Sequence, residues 1–185
     1  MIWAQSRKDG GEMLEQSEEK FTLGEMIFGA VTVRGLVQEN APIFISDLKK
    51  TYDPAPKTVN SQMYADLIDD KISGAVKKLY PRGHTEWQDD CATIHRTDVG
   101  LTAVFNNFSH RIPYELQSPK MAYVWPIVNI WSILKQDLEK SVHSNIEDLR
   151  KPMRASWLRI SEDKDLCKRL ISSIPEHLAA VKKAK

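Results

Sequence analysis

Two adjacent carboxylates, Asp89 and Asp90, are the residues of this sequence best suited to chemistry. They follow Trp87 within the stretch TEWQDDCATIH, which ends at His95. Carboxylates at the end of a strand can hold a hard divalent cation, because Mg²⁺ takes a few fixed oxygen ligands and leaves its other positions to water and phosphate. A solvated acidic turn is the alternative for such a pair. Choosing between a metal site and a solvated turn requires the other segments of the chain.

Length and composition favour a single globular domain. The chain has 185 residues, of which 42% are hydrophobic and 28% charged, enough to bury one core. No apolar run reaches the roughly 20 residues that cross a bilayer, and the first residues lack the apolar stretch of a signal peptide, so we expect an intracellular protein with no membrane contact. Cys91 and Cys167 lie far apart and lack partners at a metal-binding spacing, so we expect neither zinc nor a disulfide.

The formal net charge of +1 conceals a basic C-terminal part. From Ser132 onward the chain has 12 Lys and Arg against 8 Asp and Glu, whereas the preceding 131 residues have 14 against 17. A basic helical tail can bind nucleic acid through the release of counterions, but solvated helix faces explain this excess equally well.

The first third of the chain predicts an antiparallel hairpin. Residues 1–16 are polar and are expected to form a flexible lead-in. The β-branched run Met26–Val33 predicts a buried strand, and a turn at Gly35 leads to a second strand at Pro42–Ile45. Residues 53–57 contain two prolines and predict a loop, because proline cannot donate to a strand ladder.

A long amphipathic helix is predicted over Gln62–Leu79. Asn60 or Ser61 can cap its start, and the Pro81-Arg82-Gly83 turn ends it. Its apolar residues recur at intervals of three and four, as on one face of a helix. They are Met63, Tyr64, Leu67, Ile68, Ile72, Val76 and Leu79.

Strands and helices alternate after this helix. A short strand should lead into Asp89 and Asp90, a helix should follow at Asp98–Phe108, and another strand at Arg111–Leu116. This alternation predicts an α/β fold in which helices pack on a mixed sheet.

The last part of the chain, about residues 126–185, predicts a helical extension. Proline suits the first turn of a helix, and a serine followed three residues later by glutamate forms a capping box. The predicted starts of the four helices are Pro126, Ser144 with Glu147, Ser161 and Pro175.

Five segments, taken in order, resemble the catalytic domain of mariner-superfamily transposases. The first two are MIFGAVTVRG, similar to the family's strand V-M-V-W-G, and VNSQMYADLIDD, similar to V-N-x-x-x-Y-x-x-x-L. The next two are WQDDCATIH, similar to Q-D-x-A-P-x-H, and QSPKMAYVWPIVNIWSILK, similar to S-P-D-L-N-P-I-E-N-L-W-x-x-L-K. The tail from Trp157 resembles the family's closing helices down to P-x-x-L-x-A-V-x-x-A-K. Together these segments cover most of the chain after residue 17.

The resemblance implies an RNase H-like fold in one domain spanning residues 17–185, with a DDE or DDD metal site that cuts and joins DNA. It places Asp90 at the second catalytic aspartate and His95 at the motif histidine. The first acid, which the family writes as S-D-E-x-x-F, falls on Glu18 in SEEKF. The third acid falls on Val128 in WPIVNIW, 38 positions after Asp90.

Because a valine cannot bind a metal ion, we expect the catalytic positions Glu18, Asp90 and Val128 to be vestigial. A two-metal mechanism needs carboxylates that clamp both ions, so Asp90 and Glu18 alone would form a weak metal site at best. Glu115 is the one tenable stand-in for the third acid, because Asp137 lies about 13 Å further along the helix from Val128 at the helical rise of about 1.5 Å per residue. We therefore expect no cofactor, and Mg²⁺ only if the chain is an enzyme.

Two more parts of the family's machinery are expected to be absent. The family has a long loop between its second and third strands that clamps the partner subunit and DNA, whereas here Phe21 is followed almost directly by Met26. The helix-turn-helix modules that read transposon ends are expected to be missing as well.

Three functions remain open. The leading hypothesis is a domesticated, nuclear pseudoenzyme that has lost cleavage and strand transfer and binds a protein partner, with a chromatin-associated protein or a second copy of the chain as candidates. The second is a metal-dependent nuclease or transposase that uses Glu18 and Asp90 with Glu115 or a partner's acid. The third is a non-catalytic DNA-binding domain that uses basic residues of the C-terminal helices. These residues are Arg150, Lys151, Arg154, Arg159, Lys168 and Arg169.

Overall fold

The computed structural model describes residues 23–37, 42–90, 92–117 and 124–183. The strands are β1 (Ile27–Phe28), β2 (Val31–Thr32), β3 (Gly35–Leu36), β4 (Ile43–Phe44), β5 (Glu86–Trp87) and β6 (His110–Arg111). The helices are α1 (Ile45–Lys49), α2 (Ser61–Asp66), α3 (Ser73–Leu79), α4 (Asp98–Asn107), α5 (Pro126–Leu138), α6 (Ile146–Glu162), α7 (Lys164–Ser172) and α8 (Ile174–Lys183). A π-helix at Leu67–Ile72 joins α2 to α3, and 3₁₀ turns lie at Thr93–Arg96 and Tyr114–Leu116. The predicted α/β class is confirmed in the coarse sense that helices occur together with short paired strands.

The predicted antiparallel hairpin is present, with shorter strands than expected. β1 pairs with β4, placing Ile27 opposite Phe44, and the Ile45 N–H extends the ladder by donating to the Met26 carbonyl at 2.9 Å. The single strand predicted over Met26–Val33 is interrupted at Gly29, and its second half, β2, pairs instead with β3.

β5 and β6, which precede and follow α4 in the sequence, pair with each other in parallel. Glu86 lies opposite His110 and Trp87 opposite Arg111. Both strand orientations predicted for a mixed sheet therefore occur, but the described residues form three separate two-stranded sheets.

Strands β1 to β4 lie between two hydrophobic cores. Neighbouring strand residues alternate between the cores, as the period of two in a strand requires. Phe28, Val37 and Ile43 pack into the first core with the apolar faces of α2, the π-helix and α4, whereas Ile27, Leu36 and Phe44 pack into the second core with α5, α6 and α7. Because helices cover these strands on both sides, their sequence is a continuous apolar run rather than an alternating one.

The long helix predicted over Gln62–Leu79 is confirmed, with one irregularity. Asn60 caps it, since its Oδ1 accepts a hydrogen bond from the Met63 N–H at 2.9 Å. All of the predicted apolar stripe is buried except Leu79, which is half-buried. The π-helix widens the middle of the helix, and such segments are frequent at functional sites.

The helical C-terminal part is also confirmed. Pro126 lies in the first turn of α5, and Pro175 lies in the first turn of α8. Trp157 of α6 is fully buried and belongs to the second core. None of the described helices is both long and apolar enough to cross a bilayer.

Two predicted helix caps in this part are wrong by one or two residues. α6 is capped by Asn145 rather than Ser144, because the Asn145 Oδ1 accepts from the Asp148 N–H at 3.0 Å. α7 is capped by Asp163, whose carboxylate accepts from a backbone N–H of α7 at 2.8 Å, whereas Ser161 remains inside α6. Asn and Asp cap helices as well as Ser does, so residue type alone could not choose between neighbours.

Candidate functional site

The two carboxylates that follow β5 have opposite environments. The side chain of Asp89 is 5% exposed, and that of Arg111, on β6, is 4% exposed. Arg111 Nη2 donates to Asp89 Oδ1 at 2.6 Å and its Nε donates to Oδ2 at 3.2 Å. This buried, two-pronged ion pair fastens the end of β5 to the neighbouring strand.

Two further donors surround Asp89. The Tyr64 hydroxyl donates to Oδ2 at 2.8 Å, and Trp87 Nε1 lies 3.0 Å from both Oδ2 and the Tyr64 oxygen. Burial, followed by the nearby charge of Asp89, raises the pKa of Tyr64 well above its ordinary value, so its hydroxyl stays protonated and remains a donor. A metal ion at Asp89 would therefore have to displace a buried arginine and break a closed hydrogen-bond network.

Asp90, in contrast, lies at the surface, with a side chain that is 78% exposed. Its Oδ1 accepts from the Ala92 N–H at 2.9 Å and lies 2.8 Å from His95 Nδ1. The hydrogen bond from His95, with help from the Ala92 amide, holds the pKa of Asp90 below its ordinary value, while partial desolvation acts in the opposite direction. The ring of His95 packs against that of Tyr64, with centroids 4.1 Å apart. His95 is thus placed to order the turn after Asp90.

Val128 lies half-buried in the first turn of α5. Its N–H donates to the Trp125 carbonyl at 3.0 Å, and its neighbours Ile127 and Ile130 pack into the second core. The side chain at this position is therefore part of an apolar helix start and offers no metal ligand.

The other acids proposed for the site are Glu18 and Glu115. Glu18 lies outside the described residues, as does Cys91. Glu115 is exposed in the 3₁₀ turn at Tyr114–Leu116, whose tyrosine ring lies 4.9 Å from the Arg96 guanidinium. Within the described residues, no group of three or more His, Cys, Asp or Glu side chains is placed to hold a metal ion.

Arg150, predicted as a DNA contact, is buried with a side chain only 6% exposed. Its guanidinium lies 2.7 Å from Glu25 Oε2, 2.5 Å from Ser46 Oγ and 3.2 Å from Asp47 Oδ2. The same group lies over the Phe44 ring at 4.5 Å. Arg150 therefore joins α6 to α1 and to the start of β1, and it is not available to a phosphate.

The other five basic candidates have exposed side chains. Three of them pair with carboxylates, while Lys168 and Arg169 are exposed on α7 and form no ion pair with another described residue. The three pairs are Lys151–Asp148, Arg154–Glu147 and Arg159–Asp137. Lys168 and Arg169 are therefore the best placed of the set for DNA, because the other three would first have to release a carboxylate.

Asp137, on α5, fastens this helix to α6. Its carboxylate accepts from Lys140 Nζ at 2.5 Å, from Ser156 Oγ at 2.6 Å and from Arg159. These three hydrogen bonds hold the pKa of Asp137 well below its ordinary value of 3.8.

Replacing Asp137 with asparagine is expected to make the free energy of unfolding fall less steeply as the pH is lowered into the acid range. A carboxylate whose pKa is lowered in the folded state stabilises that state above its ordinary pKa of 3.8, and the stabilisation is lost as the pH falls below that value. Urea unfolding of both proteins between about pH 5 and 2 measures the difference. Equal slopes for the two proteins would contradict the prediction.

Several residues that shape this region were not assigned a role from the sequence. Arg111 carried a usable signal, because it begins a predicted strand, and an arginine that becomes buried in a sheet needs a carboxylate partner. Asp69 and Asp98 carried none, since each looks like a solvated residue on a helix. Asp69 and Asp98 line the same surface groove only because α4 packs against the long helix.

No family model matches this chain, and the search of curated proteins also gives no match.

Proposed function

We propose that this chain is a transposase-derived domain of the RNase H-like type that no longer cuts or joins DNA and serves as a nuclear protein-interaction module. Its support is the order of five segments that resemble the mariner-superfamily catalytic domain. The antiparallel β1–β4 pair, the parallel β5–β6 pair and the position of Asp90, three residues after the end of β5, support that interpretation. The same resemblance favours a chromatin-associated protein or a second copy of the chain as the partner.

The proposed loss of catalysis rests on Val128 in the first turn of α5. The resemblance calls for the third acid at this position, and cleavage needs carboxylates that clamp two ions about 3.5 to 4 Å apart. An apolar side chain supplies no ligand there. Asp89 cannot take over the role of the missing acid, because Arg111 already occupies both of its oxygens.

Charge and surface chemistry favour a protein partner over DNA. Arg150 is buried, and three of the remaining basic candidates are ion-paired. Large apolar side chains, in contrast, are exposed on α4, where Val99 is 45% and Phe105 is 59% exposed. Exposed aromatic and aliphatic side chains are typical anchors of protein interfaces.

An activity assay separates the three functions. With Mg²⁺ or Mn²⁺ and supercoiled plasmid, we expect no nicking by the unmodified chain above the level of an Asp90→Ala variant. Nicking that Asp90→Ala abolishes would contradict the proposal and establish the metal-dependent nuclease. Plasmid binding that falls steeply with salt and is lost when Lys168 and Arg169 become alanine would instead establish the DNA-binding function.

A further inference from the structure

A shallow groove lies between the long helix and α4. Its volume is about 360 Å³. Small and aliphatic side chains provide its apolar part, and polar side chains complete its lining. The apolar residues are Ala65, Val99 and Ala103, and the polar ones are Gln62, Asp69, Asp98, Thr102 and Asn106.

The charged groups that line this groove are both carboxylates, Asp69 and Asp98. Asp69 accepts from Asn107 Nδ2 at 2.6 Å. Lys77 lies 3.4 Å from the Asn107 amide oxygen, and neither aspartate forms an ion pair with another described residue. The groove therefore combines an apolar surface with two negative charges that no described cation neutralises directly.

The edge of the groove continues onto exposed apolar surface. Val99 lines it, and Phe105 lies three residues after Thr102, where side chains are neighbours on a helix. A ligand that fits this surface needs a cationic group, an apolar stem and an adjoining apolar side chain.

We propose that the groove binds an arginine or lysine side chain of a partner protein, flanked in the partner by apolar residues that cover Val99 and Phe105. This inference rests on the proposed protein-interaction function and specifies the partner's chemistry. Arginine and lysine pair a charged end with a long apolar stem. The stem lies against Val99, over the buried Ala65 and Ala103, while the charge approaches the two aspartates. A phosphate backbone is repelled by the same charges, so this face selects protein over nucleic acid.

Selection from a phage-displayed library of random 12-residue peptides tests this directly. We expect the recovered peptides to be enriched in Arg or Lys beside an apolar residue. Their affinity should fall at least tenfold for a variant with Asp69→Asn and Asp98→Asn together. A control with Asp165→Asn and Glu176→Gln, two exposed acids on α7 and α8, changes the net charge equally and should bind as the unmodified chain does.

The same peptides made with citrulline or norleucine in place of Arg or Lys should lose binding, and amide shifts on titration should map to α2 and α4. Recovered peptides without a cationic preference, or equal binding by the groove variant, would overturn the inference. Circular dichroism and thermal unfolding confirm that each variant is folded before its binding is compared. If the peptide selection fails and the chain does not nick plasmid, only the proposed chemistry of the partner is overturned. Plasmid nicking that depends on Asp90 would overturn the proposed function, whatever the groove binds.

Discussion

Replacing Asp89 with alanine is expected to lower the free energy of unfolding by about 3 to 5 kcal/mol, the loss typical when one partner of a buried ion pair is removed. The change leaves Arg111 buried without its carboxylate. It also removes the acceptor of the Tyr64 hydroxyl and of the Trp87 indole N–H. Denaturant unfolding followed by circular dichroism measures the loss.

The adjacent aspartate is the matched control for this experiment. Asp90 is exposed and its pair with His95 is near the surface, so Asp90→Ala should change the free energy of unfolding by less than about 1 kcal/mol. Equal losses for the two variants, or a loss below about 1 kcal/mol for Asp89→Ala, would show that the buried pair does not hold β5 to β6. A second variant, Asp89→Leu with Arg111→Met, should recover the part of the loss that comes from the unpaired arginine, because apolar residues of similar volume often replace a buried ion pair without penalty. The Tyr64 hydroxyl still lacks its acceptor in this variant, so the recovery should be incomplete.

Replacing Gly29 with alanine is expected to cost about 3 kcal/mol, at the upper end for an overpacked core. A Cβ atom at this position would lie 2.1 Å from Trp157 Cη2 and 3.0 Å from Trp131 Cη2. The two indole rings stack with centroids 5.7 Å apart, and Trp157 is fully buried, so its ring cannot move without opening the second core. Thermal or denaturant unfolding measures the loss.

Gly74 offers a control for the same substitution. It lies in α3, and a Cβ there meets no atom within 4 Å. Gly74→Ala should therefore be neutral or stabilising by up to about 1 kcal/mol, the difference in helix propensity between the two residues. A neutral effect of Gly29→Ala as well would contradict the close contact between Trp157 and Gly29.

The helices could be predicted from the sequence because their signals are local. The spacing of apolar residues between Gln62 and Leu79 fixes one face, and Asn60 is positioned to bond a free N–H. The strand over Met26–Val33 could not be bounded in this way. Its break at Gly29 accompanies a contact with Trp157, more than a hundred residues away in the chain.

The candidate site could be predicted only in part. Asp89 and Asp90 are identical in type, and the period of a strand indicates that neighbours face opposite ways, but not which one faces inward. The choice depends on Arg111 and Tyr64, which come from other elements. Arg150 shows the same limit, because its charge favours a surface position and its partner Glu25 is 125 positions away.

Under the proposed function, the different environments of Asp89 and Asp90 account for a fold that persists without a metal site. The buried pair of Asp89 with Arg111 and the two apolar cores stabilise the chain, and none of them depends on Asp90 or on residue 128. An acid at position 128 can therefore be lost without loss of the fold.

Calorimetric titration of Mn²⁺ into the unmodified chain, into Asp90→Ala and into Val128→Glu tests the proposed loss of a metal site most directly. We expect the unmodified chain and Asp90→Ala to show the same weak heat, with no saturable site, and Val128→Glu to bind more tightly than either. Saturable binding of two ions by the unmodified chain, abolished in Asp90→Ala, would contradict the account.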